Sequence, residues 1–360
     1  MSTISIKNVL LVGSFIYASI AGAGFASGKE IWFYFAGFGW ICYPLIIVAG
    51  ILFFVLSFMC LQFGKKFGSM SVTAFNNTIF GKFSFVAELI FAFSNLVLLG
   101  SMLAGADSLF NMSSVTTFRF GGVLTCILTI IVVWLGFNKL VKINCIIVPA
   151  LLVVVLITFL YCTSSFPTFS IPVVSTPGNF WFSLLSSVSF VTSNLYFSGF
   201  IFAKLGVSNS TKTNLLGCIL GSVFMVITIL GIVTTIYANP YSSMSDMPII
   251  TIANNISTTF GIITQIMVWL GVFTTATTLM YTIANWFSAY FGNYQLICII
   301  IGIIALLFSG VGFGNIINYF YPILGAVGAV FLLFMALTMR KKYAKNEVDY
   351  VPQFNKRFKY

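Results

Sequence analysis

The sequence predicts an all-α polytopic membrane protein with about ten transmembrane helices, arranged as two inverted five-helix repeats. The first supporting observation is composition, because 59% of the 360 residues are hydrophobic and only 6% are charged. The second is that apolar runs of about eighteen residues or more recur, each long enough to cross a bilayer as a helix. The third is that the runs form two halves of nearly equal length, whose first members start on opposite sides of the membrane.

Apolar runs and the residues that interrupt them set the predicted spans and their grouping. In chain order the spans lie at 8–37, 40–63, 83–110, 120–138, 143–162, 179–204, 212–237, 260–290, 293–310 and 314–338. Residues 1–162 form the first repeat and 179–338 the second. Residues 163–178, which contain three prolines, are predicted to be an extracellular loop, and 339–360 a basic cytoplasmic tail.

The positions of the basic residues predict the orientation. If the N-terminus is cytoplasmic, fifteen of the seventeen Lys and Arg residues fall on the cytoplasmic side, and only Arg119 and Lys29 do not. By the positive-inside rule, both termini are expected in the cytoplasm of a bacterial-type cell, with the chain in its plasma membrane. A net charge of +11 distributed in this way does not predict nucleic-acid binding. The oligomeric state stays open.

Several classes of chemistry are excluded by what the chain lacks. There is no histidine, and the seven cysteines are scattered without metal-ligand spacing. Glu88 and Asp107, on one predicted helix, are separated by roughly 28 Å and cannot act as a catalytic pair. A phosphate-binding GxxxxGK[ST] motif is also absent from the sequence. We therefore expect no enzyme, no catalytic residue and no cofactor or metal, except Na⁺ or H⁺ as a coupling ion.

Small and polar residues interrupt the first predicted span, in "SIAGAGFASGKEIWF" (19–33). Gly22, Gly24 and Gly28 favour local unwinding, and unwound backbone within a membrane persists only where it is buried in protein or lines a cavity. The stretch "SFVTSNLYFSG" (189–199) lies at a similar depth in the sixth span. The sequence therefore predicts two broken helices and a substrate site between them. Close helix packing through small residues is the alternative interpretation.

Two motifs carry a resemblance to known families. The stretch "GAGFASGKEI" (22–31) resembles the signature of YkvI-type membrane proteins, and "FTTATTLMYTIANWF" (273–287) is similar to branched-chain amino acid carriers. Together with the predicted repeats, they resemble the LeuT-type fold of the amino acid–polyamine–organocation superfamily. The resemblance implies a secondary active transporter of a small amino acid or related nitrogenous solute, coupled to Na⁺ or H⁺ and working by alternating access. A nutrient sensor or receptor subunit of the same fold, which binds without transporting, is the alternative.

The candidate substrate-binding residues lie at the two predicted breaks and midway along the third span. They are Ala23, Gly24, Phe25, Ser27, Gly28, Asn95, Ser193, Asn194, Tyr196 and Ser198. For a sodium ion, the resemblance implies carbonyl groups near Ala21 and Gly24 and hydroxyl groups of the eighth span. The hydroxyl candidates are Thr274, Thr275 and Thr278. The alternative is that these hydroxyls bond to carbonyls of their own helix.

Lys29 and Glu30 are charged residues within the first span, where charge is costly and therefore indicates function. They are the candidates for proton coupling. A structural ion pair with other spans is the alternative.

Overall fold

The computed structural model describes residues 5–20, 23–68, 72–111, 120–136, 153–161 and 180–344. The described residues are almost entirely helical and contain no β-strand. The predicted extracellular loop 163–178, most of the predicted tail and the predicted ion ligand Ala21 lie outside the described residues.

Fifteen helices are numbered here in chain order. They are α1 (Ile6–Ala18), α2 (Ala23–Ser27), α3 (Lys29–Tyr34), α4 (Cys42–Phe67), α5 (Val72–Phe80), α6 (Ser84–Asn111), α7 (Phe120–Trp134), α8 (153–161), α9 (Phe180–Val207), α10 (Thr211–Ala238), α11 (Pro248–Ile256), α12 (Thr258–Phe291), α13 (Tyr294–Phe308), α14 (Phe313–Asn315) and α15 (Tyr321–Ala344). Side-chain caps define several starts: the Ser210 hydroxyl accepts from the Thr213 N–H at the start of α10, and the Ser257 hydroxyl from the Phe260 N–H at the start of α12.

Seven helical stretches among the described residues are long and apolar enough to cross a membrane. They coincide with the predicted second and third spans and with the predicted sixth to tenth spans. The shorter apolar helices α1 and α7 lie in the predicted first and fourth spans, and α8 lies in the fifth. The last helix, α15, continues to Ala344 and so extends into the predicted tail.

The first predicted span is divided into three short helices, α1, α2 and α3. Helix α1 ends at Ala18, and Ser19 and Ile20 form a turn before the chain resumes as α2 at Ala23. A second interruption lies between α2 and α3, where Gly28 has φ 85°. Glycine adopts this left-handed conformation without the steric penalty that other residues pay, which explains why the helix direction changes here.

The predicted break in the sixth span is wrong, because α9 is one continuous helix of 28 residues from Phe180 to Val207. Two polar side chains at the predicted break find partners within the same helix. The Ser193 hydroxyl donates to the Phe190 carbonyl (3.0 Å), and the Asn194 amide donates to the same carbonyl (2.9 Å). Since these groups bond to the intact helix, they do not require unwound backbone.

An irregularity that the sequence did not indicate lies in the tenth span instead. A π-helical turn at Ile316–Phe320 separates the three-residue α14 from α15. Such turns contain one more residue than an α-helical turn and often occur at functional sites. The Ile317 side chain in this turn faces Gly24 of α2, since a Cβ on Gly24 would lie 3.4 Å from the Ile317 Cδ1 atom.

The helices pack as two groups, named here the first group and the second group. In the first group, α4 packs against α9 and α10, and α1 packs against α10. In the second group, α6 packs against α7, α12 and α13. Helix α2, at the interruption of the first span, contacts α6 and α12. The break in the first span is therefore at the boundary between the two groups.

Candidate functional site

A small cavity lies at the boundary between the first and second groups, beside the interrupted first span. Its volume is about 20 Å³, which is room for one water-sized group. The lining residues come from the end of α1, from α3 and α9, from α6 and α12, and from the start of α15. They are Ser19, Ile20, Glu30, Leu98, Met102, Ser193, Asn194, Phe197, Ser198, Thr275, Thr278, Leu279 and Tyr321.

This cavity brings together predicted residues from three separate parts of the chain. The substrate candidates in it are Ser193, Asn194 and Ser198, the ion candidates are Thr275 and Thr278, and Glu30 is the proton-coupling candidate. One space therefore joins some of the residues that the sequence assigned to substrate, ion and proton.

Glu30, the second residue of α3, directs its carboxylate into the cavity and is only 4% exposed. The Asn194 amide group donates to its Oε1 atom at 3.4 Å. The other oxygen, Oε2, lies so close to Gly24 that a Cβ there would be 2.7 Å away. The turn at Gly28 therefore folds the Glu30 side chain back over α2.

Lys29 points away from Glu30. Its Nζ atom donates to the carbonyl oxygens of Ser245 (3.1 Å) and Ser243 (3.5 Å), and it lies 3.9 Å from the Asp246 carboxylate. These partners belong to the segment between α10 and α11. Lys29 and Glu30 thus lie in different environments. Among the described residues, Lys29 forms its ion pair with Asp246.

The remaining predicted residues of the first span have local roles. The Ser27 hydroxyl donates to the Gly24 carbonyl (3.2 Å) and accepts from the Lys29 N–H (3.3 Å), so it stabilises the turn between α2 and α3. The Phe25 ring is fully buried and stacks on Phe190 with centroids 6.3 Å apart. Ala23 is the first residue of α2.

Two other substrate candidates do not line the cavity. Asn95 donates to the Phe91 carbonyl of its own helix (2.7 Å), while its buried Oδ1 atom has no hydrogen-bond partner among the described residues. The Tyr196 ring packs edge-on against Phe91 and Phe331, each with centroids 5.3 Å apart. Tyr196 therefore belongs to the packing between α6, α9 and α15.

The threonines of α12 divide into two kinds. Thr274 donates to the Gly271 carbonyl (2.9 Å), and Thr278 donates to the Thr274 carbonyl (3.0 Å), as the alternative interpretation predicted. Thr275 differs, because its hydroxyl group has no hydrogen-bond partner among the described residues although the residue is only 6% exposed and lines the cavity. An unpartnered buried hydroxyl is costly, so of the two threonines that line the cavity Thr275 is the one whose hydroxyl lacks a partner that a ligand could replace.

The sequence interpretation missed several lining residues. Ser19 and Ile20 follow α1 directly, and Tyr321 follows the π-helical turn. Breaks in regular structure position all three, and a recognised π-helical turn would have been the signal for Tyr321. The apolar lining side chains carried no distinguishing pattern in so hydrophobic a chain. They are Leu98, Met102, Phe197 and Leu279.

The two carboxylates of α6 are bound elsewhere. Glu88 Oε2 accepts from the Trp286 indole (2.7 Å) and the Tyr290 hydroxyl (2.8 Å), which connects α6 to α12. Asp107 Oδ1 accepts from the Gly122 N–H (2.7 Å) in the first turn of α7. A carboxylate is favourable there because it bonds an N–H group that has no partner within the helix. Neither side chain lines the cavity.

Sequence comparison identifies relatives that are membrane and transport proteins. Residues 207–354 match the family described as "Branched-chain amino acid transport protein". Over 330 residues the chain is 26% identical to the "Uncharacterized membrane protein YkvI" of Bacillus subtilis (strain 168), which covers 89% of this chain and 93% of that protein. The resemblance stated from "GAGFASGKEI" is thereby confirmed.

Comparison with solved structures shows the fold. The inward-facing conformation of Mhp1 matches with a TM-score of 0.67 and 16% identity, covering 92% of this chain and 78% of Mhp1. MhsT in complex with L-phenylalanine also matches with a TM-score of 0.67 and 16% identity, covering 93% of this chain and 89% of MhsT. A Na⁺-coupled sialic acid symporter matches with a TM-score of 0.63 and 13% identity, covering 92% of this chain and 78% of the symporter.

The family match over residues 207–354 is to a transport family, and the structural matches show the fold. The chain is a helical membrane protein that resembles YkvI along most of its length and has the LeuT-type fold.

Proposed function

We propose that this protein is a secondary active transporter that moves a small amino acid or related nitrogenous solute by alternating access. The observation that carries the proposal is the cavity between the two helix groups, next to the interrupted first span. A site at such a boundary is exposed to one side or the other when one group tilts against its neighbour. The present cavity of about 20 Å³ is smaller than an amino acid, so solute binding requires the groups to separate.

Several comparisons support an amino acid as the solute class. The matching family is described as a branched-chain amino acid transport protein, and MhsT was solved in complex with L-phenylalanine. The apolar part of the lining, which includes Leu98, Met102 and Leu279, suits an uncharged aliphatic side chain.

For the coupling ion we propose Na⁺ or H⁺. The unpartnered Thr275 hydroxyl suits a hard cation, which prefers oxygen ligands, and the Ser19 hydroxyl lines the same cavity. If the coupling ion is H⁺, Glu30 is the candidate that binds it, because it is the carboxylate of the cavity. We place the chain in a bacterial-type cell membrane with both termini cytoplasmic, on the distribution of basic residues.

The proposed function is tested by uptake of labelled amino acids into proteoliposomes that contain the purified full-length chain. Uptake should require an imposed Na⁺ or H⁺ gradient and should stop when that gradient is collapsed with an ionophore. Binding of a solute without uptake under either gradient would contradict transport and favour a sensor or receptor subunit.

The ion site is tested with Thr275→Val, which removes the hydroxyl group and keeps the side-chain shape. Thr282→Val is the matched control, because the Thr282 hydroxyl donates only to the Thr278 carbonyl of its own helix (2.9 Å). If Na⁺ binds at Thr275, the Na⁺ concentration for half-maximal uptake should rise in Thr275→Val and stay the same in Thr282→Val. An unchanged Na⁺ dependence in both variants would contradict the site.

A further inference from the structure

The carboxylate of Glu30 is buried in the cavity without a basic partner among the described residues. Lys29, the adjacent residue, is turned away and pairs with Asp246. A charge held in a protein interior without a counter-charge costs several kcal/mol, so Glu30 requires either a proton or a cation from outside the chain.

The groups around Glu30 can complete the coordination of a protonated amine. An ammonium group offers three N–H donors and needs oxygen acceptors. Asn194 uses its amide nitrogen toward Glu30 and the Phe190 carbonyl, which leaves its amide oxygen able to accept. The hydroxyl groups of Ser193 and Ser198 line the same cavity and have lone pairs that can accept as well.

The volume and the apolar lining residues of the cavity are also compatible with a protonated amine. A volume of about 20 Å³ holds one water-sized group, and an ammonium head is of that size. Ile20, Leu98, Met102 and Leu279 are apolar residues of the same lining. The cavity therefore has room for the ammonium head, and the apolar residues beside it can contact an apolar body once the two helix groups separate.

We propose that the carboxylate of Glu30 is the counter-charge for a protonated amino group of the bound solute. This inference rests on the proposed function for the location of the solute site, and it defines which solutes that site accepts. Amines and amino acids with a free amino group bind, whereas the same molecules with the nitrogen acylated or absent do not.

The test is a binding measurement on the purified full-length protein, by isothermal titration calorimetry or by ligand-induced thermal stabilisation. The probes form a set that shares the isobutyl side chain of leucine: leucine, 3-methylbutylamine, N-acetylleucine and 4-methylpentanoic acid. Leucine and 3-methylbutylamine should bind, and the two compounds without a charged nitrogen should bind at least about tenfold more weakly. Equal binding of all four, or binding of neither amine, would overturn the proposal.

Glu30→Gln removes the charge and retains the shape of the side chain. In this variant, affinity for the two amines should fall by about 10- to 100-fold, which is the loss expected for one charge-assisted hydrogen bond. Glu88→Gln is the matched control, because Glu88 is another buried carboxylate but contacts Trp286 and Tyr290 outside the cavity. Its affinities should equal those of the unmodified protein. If Glu30→Gln does not fold, the four-probe comparison on the unmodified protein still decides the question.

The outcomes also separate this inference from the proposed function. Amine-selective binding without uptake in proteoliposomes would support Glu30 as the counter-charge and contradict transport. Uptake without any preference for a charged nitrogen would support transport and contradict the counter-charge. A Glu30→Gln variant that keeps its amine affinity and loses only the pH dependence of uptake would assign Glu30 to a proton and overturn the proposal.

Discussion

The carboxylate of Glu30 lies directly over Gly24, six residues beyond the end of α1, because α3 turns back at Gly28. A Cβ atom on Gly24 would be 2.7 Å from Glu30 Oε2 and 3.0 Å from Glu30 Cβ. Gly24 is therefore the residue that leaves room for the buried carboxylate.

Gly24→Ala should displace the Glu30 side chain from its position in the cavity. Overpacking of this kind costs about 1–3 kcal/mol, so we expect solute affinity to fall by about tenfold or more. Calorimetric titration of the variant measures this loss. Gly231→Ala in α10 is the matched control, because a Cβ there meets ordinary contacts at 3.5 Å or more. Wild-type affinity in Gly24→Ala would show that the carboxylate position does not matter for binding.

Gly28→Ala should destabilise the fold through two effects. The left-handed backbone at φ 85° costs about 1–2 kcal/mol for a residue with a Cβ atom, and that atom would lie 3.1 Å from Ile249. Gly231→Ala in α10 is the control for adding a methyl group, because Gly231 is helical and a Cβ there meets ordinary contacts at 3.5 Å or more. Thermal unfolding in detergent should rank the variants, with Gly28→Ala the least stable. A Gly28→Ala variant as stable as Gly231→Ala would contradict both effects.

Lys29→Gln should release the segment between α10 and α11 from α3. The Lys29 ammonium binds the Ser243 and Ser245 carbonyl oxygens, which no other described side chain is seen to contact. Amide hydrogen exchange in residues 239–247 should therefore become faster in this variant. Asp246→Asn should have a much smaller effect, because the Asp246 side chain is 57% exposed and exposed ion pairs contribute about 0–1 kcal/mol. Equal exchange in both variants would show that the carbonyl contacts contribute nothing.

Glu88→Ala should destabilise the contact between α6 and α12. The substitution leaves the buried Trp286 indole without its acceptor, at about 1–3 kcal/mol, and the Tyr290 hydroxyl, which belongs to a half-exposed residue, loses less. Glu88→Gln retains an acceptor oxygen, so its free energy of unfolding should fall less than that of Glu88→Ala. Unfolding of Glu88→Ala, Trp286→Phe and the double variant forms a thermodynamic cycle. Strictly additive losses would mean that the two side chains are not coupled.

The chain of helices could be predicted from the sequence because each apolar run is close to the thickness of a bilayer. The interruption of the first span was also predictable, because Gly28 lacks a Cβ atom and can adopt backbone conformations that end a helix. The expected break in α9 was wrong for a physical reason: Ser193 and Asn194 are polar, but both bond to the Phe190 carbonyl of an intact helix. Polar composition alone does not distinguish unwound backbone from a helix that satisfies its own side chains.

The site was predicted in part, according to how unusual each residue is in its surroundings. Glu30 was identifiable because a carboxylate is rare in an apolar segment. Tyr321 was not, because the chain has 15 tyrosines and 41 phenylalanines and nothing in the local sequence sets this one apart. Thr275 was proposed together with its neighbours, and only the hydrogen-bond pattern of α12 separates it from Thr274 and Thr278.

The continuity of α9 has a mechanical consequence. A helix of 28 residues is roughly 42 Å long, and without a hinge it tilts as a rigid lever. Near its far end, the Lys204 ammonium donates to the Tyr281 hydroxyl of α12 at 2.6 Å, across the boundary between the groups. A rotation of α9 that widens the cavity at Ser193 therefore also strains the hydrogen bond between Lys204 and Tyr281. The change of chain direction at Gly28 lies in the first span and not in α9.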